Sequence, residues 1–344
     1  MDVLDCIVCP ACRGGLSEDR AALVCSGCGS RFDVVDGIPL LMLSSTQDTR
    51  LDVATYARLA HVGPQAVANT HNEYRHALAA AGQTLQGSLL EIGTGTGLLT
   101  EAMMRHADFD RIISTDVSIG FLEHTRARLS DVASSVAFVA CDGNTLPFRN
   151  GGFDVVLGRS VLHHLLHYQE TLRRIHDLLR PGGVVAFYEP VQSGKAVICF
   201  LFRIILGMDE QVGPIGLTPN ERTIMTRAVR NMMRTATTEH SDADLAKIED
   251  KYVFDIEKLC TQARALGFAT ARYVNSPVVD RSYFGYLSMH MRNYGIRPEI
   301  VTKLGWLKSA FADTIGAVAG ARLSAPMGYF VFERAAAVPA QIWP

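Results

Sequence analysis

The sequence predicts an α/β fold: a doubly wound, mostly parallel seven-stranded sheet with helical insertions, preceded by a small cysteine-rich module. Three observations carry this. Apolar, β-branched runs alternate with helical segments from residue 88 onward, a glycine-rich turn joins the first run to a helix, and five of the eight cysteines fall within the first 28 residues. A chain of 344 residues is long enough for one α/β core and one appendage.

The strand candidates are SLLEIG (88–93), RIISTD (111–116), VAFVACD (136–142), FDVVLG (153–158) and VVAFYEP (184–190), with helices expected at 98–106, 119–130 and 167–180. Strands alternating with helices of this length imply βαβ units, whose right-handed crossovers bring the loops after the strands to one edge of the sheet. Residues 44–87 read as a polar linker (44–50) followed by helical segments at 54–59 and 66–81. After Pro190 the rhythm breaks: a helix near 255–267, a strand at 271–275 and a last strand at 327–335 are separated by insertions at about 191–250 and 277–326. Both insertions are expected to be mostly helical and to form a lid over the strand ends. Their segments 196–208 and 283–294 are rich in Phe, Tyr, Leu and Met, which suits an apolar or aromatic ligand or a plain helical core.

The composition, 48% hydrophobic and 20% charged with net charge −2, shows no electrostatic footprint for nucleic acid. The acidic first residues run directly into cysteines, without the basic and apolar regions of a secretion signal. The stretch 196–208 is too short to span a bilayer and contains Arg203. A cytoplasmic protein with reduced thiols is the expectation.

Reduced cysteines that cluster need a reason. Cys9-Pro-Ala-Cys12 and, twelve residues on, Cys25-Ser-Gly-Cys28 form two C-x2-C knuckles at the spacing that closes a tetrahedral Zn2+ site. A redox dithiol would need only one such pair beside a βαβ unit. A module this small cannot fold on its own core, so metal binding would supply most of its folding free energy. Cys6 is expected in the core of the module, and Cys141, Cys199 and Cys260 as small packing groups. The stretch LDCIVCPACRGGL with VCSGCGSRFDVVDGIPLLM resembles the Trm112-like zinc-ribbon family over residues 1–43. Six carboxylates against three arginines in residues 1–37 favour a scaffold for a neighbouring domain over an RNA clamp.

In Leu89-Leu90-Glu91-Ile92-Gly93-Thr94-Gly95-Thr96-Gly97 a buried strand turns into a helix through G-x-G-x-G, not the G-x-G-x-x-G that cradles a pyrophosphate. Glu91 precedes the turn, Asp116 ends the next strand, and Asp142 ends the third. Three carboxylates at successive strand ends suit a ligand with a cationic centre, ribose hydroxyls and an adenine amino group, which describes S-adenosyl-L-methionine (SAM).

On LLEIGTGTGLLT, IISTDVS, CDGNTLPFRNGGFDVVLGRSVLHHL and LLRPGGVVAFYEP the chain resembles the Rossmann-like class I SAM-dependent methyltransferases, and most closely their ubiquinone/menaquinone-type small-molecule subgroup. The resemblance spans roughly residues 54–190. It implies that Glu91, Gly93, Gly95 and Gly97 line the methionine end of SAM, and that the backbone near Arg159 meets its amino-acid tail. It also implies that Asp116 with Val117 holds the ribose and adenine edge, and that Asp142 with Gly143 holds the adenine.

His163 and His164 follow the fourth strand, where either could take a proton from an acceptor or simply cap and pack the helix. Tyr56 is expected as a lid residue or a packing group, and Arg227, Arg230 and Arg234 as a solvated helix face or an anion contact. The reading is a methyltransferase for a small, apolar or aromatic acceptor. Its alternatives are an rRNA or tRNA base methyltransferase using the ribbon for RNA contact, and a SAM-binding protein that transfers nothing.

Overall fold

The computed structural model describes residues 3–43, 53–59, 62–131, 136–211, 215–237, 241–276, 283–307 and 326–337. The polar linker at 44–50 and the ends of the second insertion lie outside the described residues. The chain divides into two units: Met1–Tyr188 with Cys260–Val274 and Tyr329–Pro344, and Glu189–Leu259 with Asn275–Gly328.

The first unit begins with four short strands, β1 (Leu16–Asp19), β2 (Ala22–Cys25), β3 (Arg31–Val35) and β4 (Ile38–Leu41), paired antiparallel in succession. Helices α1 (Val53–Leu59) and α2 (Pro64–Ala79) follow. Pro64 opens α2 at a position where a missing N–H costs nothing, and Val67, Thr70, Tyr74, Ala77 and Leu78 form its buried stripe. The alternation then runs β5 (Gln86–Ile92), α3 (Leu98–His106), β6 (Asp108–Asp116), α4 (Ile119–Arg128), β7 (Val136–Cys141), β8 (Phe153–Arg159), α5 (Tyr168–Leu178) and β9 (Leu179–Pro190). Residues 88–92 of β5 are all buried, the continuous run of a parallel strand covered on both faces.

The sheet has eleven strands, not seven, in the order β1-β2-β3-β4-β7-β6-β5-β8-β9-β11-β10, where β10 is Thr270–Asn275 and β11 is Met327–Glu333. The N-terminal module supplies the extra four. Its last strand pairs parallel with β7, Leu40 against Ala140 and Leu41 against Cys141, so an apolar edge that would otherwise face water is closed by the larger sheet. From β4 to β9 neighbouring strands outside the module are parallel. At the far side Gly182 N–H donates to the carbonyls of Arg334 and Ala335, and Arg334 N–H donates to Gly183, so the end of β11 meets the start of β9 and the two run antiparallel. The ninth strand begins at Leu179, five residues earlier than its apolar run suggests, because Leu179 pairs with Phe153 before a register shift around Gly182 and Gly183.

Strand order reverses between β5 and β8: the chain leaves β5 for β6 on one side and reaches β8 on the other. Such a switch point opens a crevice at the carboxyl ends of the strands.

The second unit is helical. It contains α6 (Gln192–Gln211), α7 (Pro219–Thr237), α8 (Asp242–Leu245), the start of α9 (Ile256–Ala265), α10 (Tyr283–Asn293) and α11 (Pro298–Lys303). Helices from the two insertions share one apolar core, in which Ile198, Phe202 and Ile205 of α6 meet Met225 of α7, Leu287 and Met291 of α10, and Ile300 of α11. Arg227, Arg230 and Arg234 point outward as an exposed face of α7.

Candidate functional site

The turn after β5 uses three glycines in the left-handed region, Gly93 (φ 76°), Gly95 (φ 51°) and Gly97 (φ 79°). The reason differs along the turn. A Cβ on Gly93 would lie 2.7 Å from Val161, and one on Gly97 2.5 Å from Thr125, so these two are pressed against the protein itself. At Gly95 a Cβ would meet nothing within 4 Å. Its backbone therefore offers open space for a ligand to approach.

Beneath the turn Glu91 is fully buried. Its Oε2 accepts from Thr100 Oγ1 (2.6 Å) and from Ser114, whose hydroxyl also lies 2.8 Å from that of Thr94. Its Oε1 is buried with no hydrogen-bond partner among the described residues. Burial pushes the Glu91 carboxyl up to about 7, against the pull of the Ser114 and Thr100 hydroxyls. Asp116, half-buried at the end of β6, accepts from Gly95 N–H through Oδ2 and from Ser118 N–H through Oδ1, both at 2.9 Å. Burial raises its pKa as well, opposed by those amides. Val117 beside it is half-buried.

Asp142 follows β7 and accepts from the backbone and side-chain nitrogens of Asn144 (2.8 and 2.7 Å), while a Cβ on Gly143 would come 2.9 Å from the end of the Leu165 side chain, which would have to shift. Arg159 ends β8 with its guanidinium 4.4 Å over the Tyr188 ring and its buried Nη1 without a partner. Burial opposes the charge on Arg159, but surrounding Tyr329, Tyr188, Tyr74 and Glu73 raise its pKa. His163, buried, and His164, half-buried, lie on a short 3-10 turn with ring centroids 4.0 Å apart. Tyr56 is 39% exposed and sets its ring edge-on to Phe121 at 5.8 Å.

Sequence reasoning missed the hydroxyl floor of Thr94, Thr100 and Ser114, and the box around Arg159, where Tyr329 donates to Glu73 and Tyr74 Oη donates to Gly158 O at 2.8 Å. The visible signal for the floor is the spacing of Thr94 and Thr100 around Gly97. The box joins α2, β8, β9 and β11 and has no local signal.

In the N-terminal module the sulfurs of Cys9, Cys12, Cys25 and Cys28 all lie within 4.8 Å of one another. Cys9–Cys28 and Cys12–Cys25 are 3.7 and 3.4 Å apart, near the edge of about 3.8 Å expected for four thiolates at 2.3 Å around one tetrahedral ion. Gly14 N–H points at Cys12 Sγ (3.4 Å) and Gly27 N–H at Cys25 Sγ (3.3 Å), while the Ser30 hydroxyl draws the Cys28 thiol down to about 6. The donor set fits a structural zinc ion. Cys6 stands apart, buried and accepting from Arg111 (2.7 Å). The module also braces the turn after Asp142: Arg13 donates to the carbonyls of Thr145 (2.7 Å) and Leu146 (2.9 Å), and Val8 N–H to Pro147 O (2.9 Å).

Residues 90–187 match the methyltransferase domain family, and residues 2–37 the Trm112p-like protein family. The chain thus carries a methyltransferase domain of SAM-binding fold preceded by a Trm112p-like domain. Fumosorinone synthetase of Cordyceps fumosorosea is 34% identical over 121 residues, which are 33% of this chain and 3% of that protein. The highly reducing polyketide synthase sthA of Phaeosphaeria nodorum is 32% identical over 128 residues, 35% of this chain and 4% of that protein. Only a small fraction of either relative is therefore spanned. Among solved structures, the CurJ carbon methyltransferase is 18% identical, with 83% of this chain and 59% of that chain covered at a TM-score of 0.45. No helix among the described residues is long and apolar enough to cross a membrane.

Proposed function

We propose that this chain is a SAM-dependent methyltransferase for a small, apolar or aromatic acceptor. The observation that carries the reading is the open, left-handed Gly95 above a buried carboxylate with an unused oxygen. When bound, SAM supplies an electrophilic methyl group that passes in line to an acceptor nucleophile. Asp116 is the acceptor for the ribose hydroxyls, since each of its oxygens is fixed by a backbone amide and keeps a lone pair. Asp142, held by Asn144, receives the adenine amino group. Arg159 offers an unpartnered Nη1 to the α-carboxylate, and Glu91 supplies negative charge below the cationic end. His163 and His164 are the candidates for holding or removing an acceptor proton.

A small-molecule acceptor is supported by the similarity to a segment of a highly reducing polyketide synthase and by the apolar core of the helical unit. The zinc ribbon acts as a scaffold: its contacts run to the backbone of residues 145–149, beside the adenine turn. Calorimetry tests the cofactor assignment. Asp116→Ala should weaken SAM binding by about 1.5–3 kcal/mol, the worth of hydrogen bonds to a charged acceptor. Unchanged affinity would refute it.

A further inference from the structure

The helical unit buries polar groups that its own core does not use. Lys195, in the first turns of α6, is only 9% exposed. Its ammonium stands 5.4 Å from the centre of the Tyr286 ring on α10. Asp250 acts on it electrostatically, yet among the described residues no carboxylate comes within ion-pair distance of it. One turn along α10, His290 packs edge-on to Tyr286 (4.7 Å) and stacks on Tyr294 (5.9 Å), and its buried Nε2 has no hydrogen-bond partner among the described residues. Burial drives the His290 imidazole down to about 3, so it is neutral, and burial lowers Lys195 as well.

An ammonium taken out of water without a paired anion costs several kcal/mol. A neutral imidazole nitrogen left dry beside it adds to that cost. Both costs are recovered if a ligand brings one negative charge and one hydrogen-bonding oxygen to the same place. A single ammonium beside a neutral imidazole matches a singly charged group. Among the described residues no second cation or guanidinium fork, which a phosphate dianion calls for, is placed against the pair. The rings of Tyr286 and Tyr294 flank the pair and suit a flat or apolar skeleton.

We propose that Lys195 and His290 form a binding site for a singly charged oxyanion carried on an apolar skeleton. This rests on the reading of the chain as a methyltransferase for a small apolar acceptor, and it names that acceptor's polar group.

Two probes of equal shape test it on the full chain: 2-naphthoate, which is anionic, and 2-naphthamide, which is neutral. Naphthoate should bind about tenfold more tightly, as one charge-assisted hydrogen bond provides. Lys195→Met should abolish the preference and Lys195→Arg should restore most of it. His290→Phe should weaken both probes while keeping their ratio. In the unsubstituted protein, naphthoate but not naphthamide should protect Lys195 from acetylation, read by peptide mass spectrometry, which needs no variant to fold. Equal binding of the two probes, or a preference that survives Lys195→Met, would overturn the site. SAM titrated separately should keep its affinity within about twofold in every variant, as expected for independent sites. A chain that fails to bind SAM but discriminates between the probes would overturn the methyltransferase reading and leave the oxyanion site standing.

Discussion

Two buried glutamates, one in each unit, are held in opposite ways. Glu221, 4% exposed near the start of α7, is saturated: its Oε1 accepts from Arg297 N–H and Nε (both 3.0 Å), and its Oε2 from Arg297 Nη2 (2.9 Å), Thr218 N–H (2.8 Å) and Thr218 Oγ1 (3.0 Å). The guanidinium holds its pKa down to about 2. Glu91 is held chiefly by two hydroxyls on one oxygen, has no hydrogen bond to the other among the described residues, and is carried by burial up to about 7. The first arrangement fixes a structure, because the charge is complete without help. The second leaves a charge that the fold alone does not favour, under a turn with open space above it. An incomplete buried carboxylate beneath an open glycine turn marks a candidate site, whereas a complete one is a fastening.

The ribbon sets the outer limit of this contrast, since four sulfurs converge with no cation from the chain between them. Structural zinc sites contribute about 10–16 kcal/mol to folding. Cys25→Ser, or chelation, should therefore give the largest effect: β1–β4 should lose amide-exchange protection together, and the pairing of β4 with β7 should go with them. Because Arg13 then no longer braces residues 145–146, SAM affinity should fall several-fold without any change at Asp142 itself. Elemental analysis should find one zinc per chain. Protection of β2 and β3 unchanged in Cys25→Ser would mean that the module folds without its ion.

The next effect concerns Glu91. A carboxyl whose folded pKa lies near 7 rather than at its ordinary 4.5 binds protons in the native state that the unfolded chain has given up. Its contribution to stability is full below about 4.5 and is lost as pH rises through about 7. Glu91→Gln should flatten that loss and, without SAM, be the more stable protein at pH 8 by up to about 3 kcal/mol, the linkage value of the shift. In the unsubstituted protein a cationic ligand should bind better as pH rises through 7, and Glu91→Gln should lose that slope. Melting temperatures and SAM titrations at pH 5 and pH 8 check both halves. A Glu91→Gln protein less stable at pH 8 than its parent would place the carboxylate among the fastenings.

How much of this was legible in the sequence follows from the range of the interactions. Strands β5–β8 and the glycine turn are written locally: all four are apolar runs, the first three carry an acidic residue at or beside their ends, and three glycines mark a turn in which only glycine fits at Gly93 and Gly97. The four ribbon cysteines are equally local. The joining of ribbon and sheet is not, because Leu40 and Leu41 meet partners about a hundred residues away and nothing in PLL specifies a parallel neighbour. The same holds for Arg159, whose neighbours Tyr188, Tyr329 and Glu73 come from three separate elements. Lys195 and His290 each read as a polar residue in an apolar stretch, and only the packing of α6 on α10 brings the two together. At Glu221 the signal was present but unread. Thr218-Pro219-Asn220-Glu221 is a capping box with proline at the first helical position, and Glu221 N–H does donate to Thr218 Oγ1 at 3.2 Å.

That box carries the smallest of the expected effects. Glu221 is depressed to about 2, so the sign is the reverse of Glu91: its stabilisation is present above the ordinary carboxylate value and is lost as pH falls from about 4.5 through about 2. The partner guanidinium is 43% exposed, so solvent screens the pair and its net worth is discounted to about 1 kcal/mol. Glu221→Gln keeps the shape and much of the cap to Thr218 but removes the negative charge that faces Arg297. It should destabilise the helical unit by about that amount at pH 7 and by less than half of it at pH 2, where the parent carboxyl is itself half protonated and the two proteins approach one another. Amide exchange in α7 reads this locally, while exchange in β5 and β6 of the other unit serves as the internal control. A loss in α7 that persists undiminished at pH 2 would assign the effect to the helix cap and not to the ion pair. Glu221 would then be a hydrogen-bonding residue that happens to carry charge, and the contrast with Glu91 would have to rest on hydrogen-bond completeness alone.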